Sequence, residues 1–182
     1  FSVSKEKKIL SEWRCSTDGN TTADQYFTWL QQLFSIANIN YNDINKVIVS
    51  SVVPDSIFNL KVLAKTYFKC VPLIVGSDNC KIPISIDVES GVNVGADRLV
   101  NATAAYQIVG GNTIIVDFGT ATTFDVINQL GSYVGGVIAP GVSLSTKALH
   151  EAAAALPHVE VKRPNKVVGR NTISCMQSGI YW

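Results

Sequence analysis

Histidine is nearly absent from this chain: His150 and His158 are the only two in 182 residues. The four cysteines, Cys15, Cys70, Cys80 and Cys175, are scattered and show no Cys-x-x-Cys spacing. Together these scarcities argue against the common zinc frameworks and read the cysteines as reduced thiols of a cytoplasmic protein. Charge is thin and balanced, with 15 Lys and Arg against 14 Asp and Glu. No basic run is long enough for a nucleic-acid patch, and Lys5-Glu6-Lys7-Lys8 reads as a solvated turn. Hydrophobic residues make up 47% of the chain. Their runs stop at strand length, well short of the ~18 residues of a membrane span. No signal peptide is visible. Neither a Walker loop nor a dinucleotide fingerprint occurs, which excludes those two nucleotide-binding frameworks. Neither nucleic acid nor membrane is therefore expected as a partner. The length suits one domain, or two small lobes, with a sizeable core.

What is present patterns as alternating strands and helices. Residues 1–15 read as a hairpin around the charged turn. Thr22 with Gln25 three residues on forms a capping box, opening a helix with Tyr26, Phe27, Leu30, Phe34 and Ala37 on its apolar face. Trp29 lies off the centre of that stripe. Residues 38–45 are rich in Asn and Asp and read as a loop. Residues 46–53 are apolar enough to predict a parallel strand buried on both faces. Pro54 and Asp55 start a helix through about Tyr67, and Leu73-Ile74-Val75 is a short strand stopped by Gly76. Residues 77–94 alternate Ile82, Ile84 and Ile86, then turn at Glu89-Ser90-Gly91. A helix from Asp97 to about Val109 ends at Gly110-Gly111-Asn112. A three-stranded meander follows over residues 114–138, then an alanine-rich helix over 143–156, an edge strand at Val159-Glu160-Val161 and a last helix from Thr172. The order predicts an α/β fold with a mixed sheet.

Two stretches carry chemistry. Gly95-Ala96-Asp97-Arg98 puts a carboxylate and a guanidinium in the first turn of a helix. Val116-Asp117-Phe118-Gly119-Thr120 ends an apolar run in an acid, a glycine and a hydroxyl. A helix start and a strand-to-Gly-Thr turn both offer backbone N–H groups to an anion. The same acids serve equally well as a helix-dipole charge and a turn former.

These two stretches, extended to Gly95-Ala96-Asp97-Arg98-Leu99-Val100-Asn101 and Val116-Asp117-Phe118-Gly119-Thr120-Ala121-Thr122-Thr123, with Gly135-Gly136-Val137-Ile138-Ala139-Pro140-Gly141 and Gly169-Arg170-Asn171-Thr172 in that order, resemble type III pantothenate kinase. Thr22-Ala23-Asp24-Gln25-Tyr26 and Met176-Gln177-Ser178-Gly179 extend the likeness over essentially the whole chain. The resemblance implies the actin-like (ribonuclease H-like) ATPase fold in two similar lobes, residues 1–94 and 95–182. It implies ATP-dependent phosphorylation of pantothenate, the first step of coenzyme A synthesis. Asp97 matches the proton acceptor. Gly95, Ala96, Asp97, Arg98 and Thr172 match the pantothenate contacts. Gly119 and Thr120 match the ATP turn, and Asp117 matches the ligand of a monovalent cation, K⁺ or NH₄⁺. ATP with Mg²⁺ and a homodimer in the cytoplasm complete the implication. Gly135-Gly136 and Pro140-Gly141 resemble a nucleotide-side loop whose bare backbone lets a ligand approach. Asp97 and Asp117 are expected on one cleft. An accessory or regulatory protein on the same fold, and a kinase for another hydroxylated small molecule, stay open as alternatives.

Two departures stand out. Val88 occupies the place of a substrate-contacting tyrosine found in many family members, nine residues before Asp97. Asp18-Gly19-Asn20-Thr21 looks like the family's phosphate loop, but lacks the residue between acid and glycine and lies before the Thr22 helix rather than between the first two strands. It reads as a decoy. The chain opens at Phe1 and closes at Trp182 in mid-pattern, so a fragment is expected, with the true loop upstream of Phe1. Expressed alone, such a fragment is expected to bind ATP poorly and not to turn over.

Overall fold

The computed structural model describes residues 1–91, 93–152 and 156–182. It is a mixed α/β structure in two compact units: residues 1–83 with 93–100, and residues 84–92 with 101–182.

The first unit starts with the expected hairpin. β1 (Ser2–Lys5) pairs antiparallel with β2 (Lys8–Glu12). Glu6 and Lys7 make the two-residue turn with φ of 50° and 67°, a conformation that matches the twist of the strands. Thr22 caps α1 (Ala23–Ile36): its hydroxyl accepts the Gln25 N–H at 3.3 Å, while its own N–H reaches Gln25 Oε1 at 2.8 Å. Two of the four orphan N–H groups of the helix start are thus satisfied by side chains. Tyr26, Leu30 and Phe34 repeat every four residues and are buried with Leu63 and Phe68, forming the core of this unit. Trp29 is half-buried, its ring 5.5 Å from that of Phe1. Within residues 38–45, Tyr41–Asp43 wind into one 3-10 turn capped by Asn40.

The long buried strand expected over residues 46–53 is reduced to β3 (Ile48–Val49), and Ile48 is 65% exposed. Beyond the strand's end, the Ser51 hydroxyl accepts the Val53 N–H at 3.1 Å. This local bond takes a backbone group out of any ladder. α2 (Pro54–Tyr67) follows, with proline in the first turn where no N–H is needed. β3 runs parallel to β4 (Leu73–Ile74), as expected, and Gly76 at φ 82° ends that strand.

In the second unit the strand order is β5 (Ser85–Ile86), β8 (Ser132–Pro140), β7 (Ala121–Ile127) and β6 (Thr113–Phe118). The last three form the antiparallel meander, and β5 joins β8 in parallel. α3 (Ala96–Val109) has its first residues in the first unit and continues from Asn101 in the second. Gly110 and Gly111, at φ 70° and 64°, stop it. Asp125 is fully buried on β7 and accepts the Tyr133 hydroxyl at 2.7 Å.

α4 (Val142–Ala152) occupies the start of the alanine-rich stretch; residues 153–155 of that expected helix lie outside the described residues. Val159-Glu160-Val161 is not a strand. The Glu160 carbonyl accepts the side-chain amide of Gln177 at 3.1 Å, so a side chain takes the place of a ladder partner. α5 (Thr172–Tyr181) is capped by Asn171, whose side chain accepts the Ser174 N–H at 2.9 Å. Among the described residues, no helix is long and apolar enough to cross a membrane.

Candidate active site

The Gly95-Ala96-Asp97-Arg98 turn belongs to the first unit and opens α3, with the Leu99 N–H bonded to the Gly95 carbonyl at 3.1 Å. Asp97 is exposed, and its Oδ1 accepts the Arg98 N–H at 2.8 Å. That carboxylate folds back over Gly95: a Cβ there would stand 2.6 Å from Asp97 Oδ1 and 3.6 Å from Val52 Cγ1. Glycine therefore leaves the carboxylate room to lie along the helix start. Ala96 beneath it is buried and Arg98 is half-buried. The result is a packed backbone carrying an exposed acid, with a guanidinium as the next side chain. An accessible carboxylate is chemically able to accept a proton.

The second unit holds Asp117, Gly119 and Thr120. Asp117 is the fifth residue of β6 and is exposed. Its Oδ2 accepts the Asn101 side-chain amide at 3.1 Å. Asn101 lies four residues after Asp97 on α3. The sequence reading gave it no role, although that spacing places the two on one helix face. Among the described residues, no group of three or more His, Cys, Asp or Glu gathers as a metal-ligand set. A single oriented carboxylate is chemistry suited to a weakly held hard cation rather than to zinc.

Gly119 and Thr120 form the turn from β6 to β7, and both are exposed. The Gly119 N–H bonds the Ala121 carbonyl at 2.9 Å, and the Thr120 carbonyl accepts the Gly141 N–H at 3.1 Å. The glycines of the third stretch also have roles within the chain. Gly135 and Gly136 lie inside β8 rather than in a loop. Gly135, at φ 124°, sits where the β7–β8 register slips between Val126 and Ile127, so it supplies the backbone freedom a bulge requires. Gly141 is buried against the Gly119-Thr120 backbone.

Thr172 is the first residue of α5 and is exposed; the cap belongs to its neighbour Asn171. Asp18-Gly19-Asn20-Thr21 closes on itself. Asp18 Oδ1 accepts the Asn20 N–H at 2.9 Å and the Asn20 side-chain amide at 3.1 Å. Such bonds make an Asx turn and engage the carboxylate locally. Two shallow hollows, of about 320 and 430 Å³, are lined by Arg163 to Val167 with Trp182 and by Asp24, Gln25, Thr28, Trp29 and Gln32; neither includes a candidate catalytic, substrate, ATP or cation residue.

Across residues 1–182 the chain matches the family described as Type III pantothenate kinase. A curated Type III pantothenate kinase of Dinoroseobacter shibae is 52% identical over all of this chain and 71% of its own length. One of Ruegeria pomeroyi is 55% identical, and one of Cereibacter sphaeroides 51%, each over all of this chain and 70% of its own length. Identity of this order over the entire chain takes in every stretch described above, and the chain belongs to the type III pantothenate kinase family.

Proposed function

We propose that this chain carries out ATP-dependent phosphorylation of pantothenate, giving 4'-phosphopantothenate at the start of coenzyme A synthesis. The observation that carries this reading is the 52% identity, over every residue of the chain, to a curated enzyme of that name. ATP enters as its magnesium complex, as in phosphoryl transfer generally.

Asp97 is the general base: its exposed carboxylate accepts the proton of the pantothenate primary hydroxyl as that oxygen attacks the γ-phosphorus. Gly95, Ala96 and Arg98 hold the substrate, the guanidinium supplying a fork of donors to its carboxylate or to the transferring phosphate. Thr172 adds a hydroxyl contact. Gly119 and Thr120 meet the phosphates of ATP. Asp117, oriented by Asn101, would hold a potassium or ammonium ion, whose charge offsets that of the phosphates. Its donor chemistry fits, since a hard cation takes oxygen ligands.

The fold of this reading is actin-like, with lobes of residues 1–94 and 95–182. Support comes from kinds of element that the two units have in common. An antiparallel hairpin precedes α1 in the first unit, an antiparallel meander precedes α4 in the second, and each unit adds one parallel strand pair. The active form is a cytoplasmic homodimer.

The test is a coupled assay of ADP release by the full-length protein, with and without pantothenate. Release that depends on pantothenate supports the kinase. Release without it, or with another hydroxylated acceptor only, points to a different substrate. No release at all sinks the enzyme reading.

A further inference from the structure

Gly141 stands between two elements and makes contact with the turn assigned to ATP. Its N–H donates to the Thr120 carbonyl at 3.1 Å, and its own carbonyl accepts the Ser145 N–H at 2.9 Å, starting α4. A Cβ at Gly141 would fall within 3 Å of three backbone atoms: the Gly119 and Thr120 carbonyl oxygens and, at 2.8 Å, the Thr120 carbonyl carbon. Real side chains do not approach backbone so closely, and backbone atoms cannot swing aside as a side-chain tip can. Gly141 has no positive φ to explain its identity. The close approach alone explains it.

That contact fixes which way the turn's peptides face. In a planar trans peptide the N–H points opposite to the carbonyl. With the Gly119 and Thr120 oxygens both lying against Gly141, the N–H groups of Thr120 and Ala121 are directed to the other side. A polyphosphate is repelled by carbonyl oxygens and attracted by N–H donors. We propose that Gly141 is a positioning residue for ATP: by bonding the Thr120 carbonyl and packing closely on that of Gly119 it orients the turn so that the Thr120 amide and hydroxyl meet the nucleotide's phosphates. This rests on the reading that Thr120 meets ATP. A methyl group at position 141 has to displace the turn and bring a carbonyl oxygen toward the bound phosphates.

The experiment is steady-state kinetics on the full-length protein with Gly141→Ala, Thr120→Ala and the double substitution, with Gly179→Ala as control because a Cβ there meets open space. Gly141→Ala is expected to raise KM for ATP by about tenfold or more while KM for pantothenate stays within about twofold. A purely structural role would lower the active fraction, and with it kcat, without moving KM for ATP; that result overturns the proposal. The double variant is expected to fall short of the product of the single effects, because both act on one turn. If Thr120→Ala leaves KM for ATP unchanged, the assignment of Thr120 fails and the proposal with it. If Thr120→Ala raises KM and Gly141→Ala does not, only the proposal fails. Should Gly141→Ala not fold, hydrogen exchange in the unsubstituted enzyme decides. A non-hydrolysable ATP analogue is expected to slow exchange at residues 119–121 and at Gly141 together, and slowing at the turn without Gly141 overturns the coupling.

Discussion

The Asn101 side-chain amide donates to Asp117 Oδ2 at 3.1 Å, tying a helix residue to the acid near the end of β6. One carboxylate oxygen is thereby held, and the side chain loses part of its freedom before any cation arrives. Asn101→Ala is expected to raise the potassium concentration for half-maximal activity severalfold. Its effect on folding is expected to be small, about 1 kcal/mol or less, as for one exposed hydrogen bond. A potassium titration of the rate checks this. An unchanged midpoint would mean that Asn101 does not orient the cation's carboxylate.

How far the chain could be read beforehand depended on how local the deciding forces are. The Thr22 capping box, the Pro54 helix start and the Gly110-Gly111 stop are settled within a few residues, and each element began or ended as expected. Residues 46–53 and 159–161 read as strands by composition. There side chains, Ser51 and Gln177, bond backbone groups that composition alone assigns to a ladder. The glycines were ambiguous for a related reason. A bare backbone lets anything approach, and sequence does not say whether a ligand or another strand does so. Gly141 meets Thr120, and Gly135 serves a bulge. Asn101 was within reach, being four residues from Asp97, but its partner Asp117 is sixteen residues further on.

Burial of Asp125 makes its partner costly to lose. Tyr133 is 1% exposed and its hydroxyl reaches Asp125 Oδ1 at 2.7 Å. Tyr133→Phe is expected to destabilise the protein by about 1–3 kcal/mol, because the buried Asp125 side chain loses a hydrogen-bond donor. Urea unfolding measures the loss. Adding Asp125→Asn should then cost less than it does in the parent, since the two side chains act as a pair.

Alkaline stability carries a second signature. The Tyr67 hydroxyl donates to Asp24 Oδ1 at 2.5 Å, and this bond, then burial, then the Asp24 charge hold the phenol above its ordinary value of 10.0. A raised folded-state value favours the neutral form. Its contribution is therefore complete below the unfolded value and is lost as pH rises through the folded one. The stability advantage of the parent over Tyr67→Phe is expected to be constant at pH ~7–9 and to shrink above about pH 10. Urea midpoints of both proteins against pH test it. A gap that holds steady through the alkaline range would remove the Tyr67–Asp24 bond from the account.

Dimerisation has a direct physical measure. Ile108 and Val109 on α3 are 83% and 70% exposed, apolar surface that a second subunit can cover. Sedimentation of the full-length protein at micromolar concentration is expected to give twice the monomer mass, and Ile108→Glu is expected to reduce it toward the monomer. A parent that sediments as a monomer contradicts the dimer.

The central claim is that Asp97 takes the proton in phosphoryl transfer to pantothenate. Asp97→Asn removes the base and keeps the shape of the side chain over Gly95. Formation of 4'-phosphopantothenate by the full-length protein, followed by mass spectrometry at saturating ATP and pantothenate, is the most direct measurement. Turnover is expected to fall by about 10²–10⁴-fold, the usual worth of a general base, with ATP affinity within about threefold of the parent. Turnover within about tenfold of the parent would contradict the assignment of Asp97 as the base.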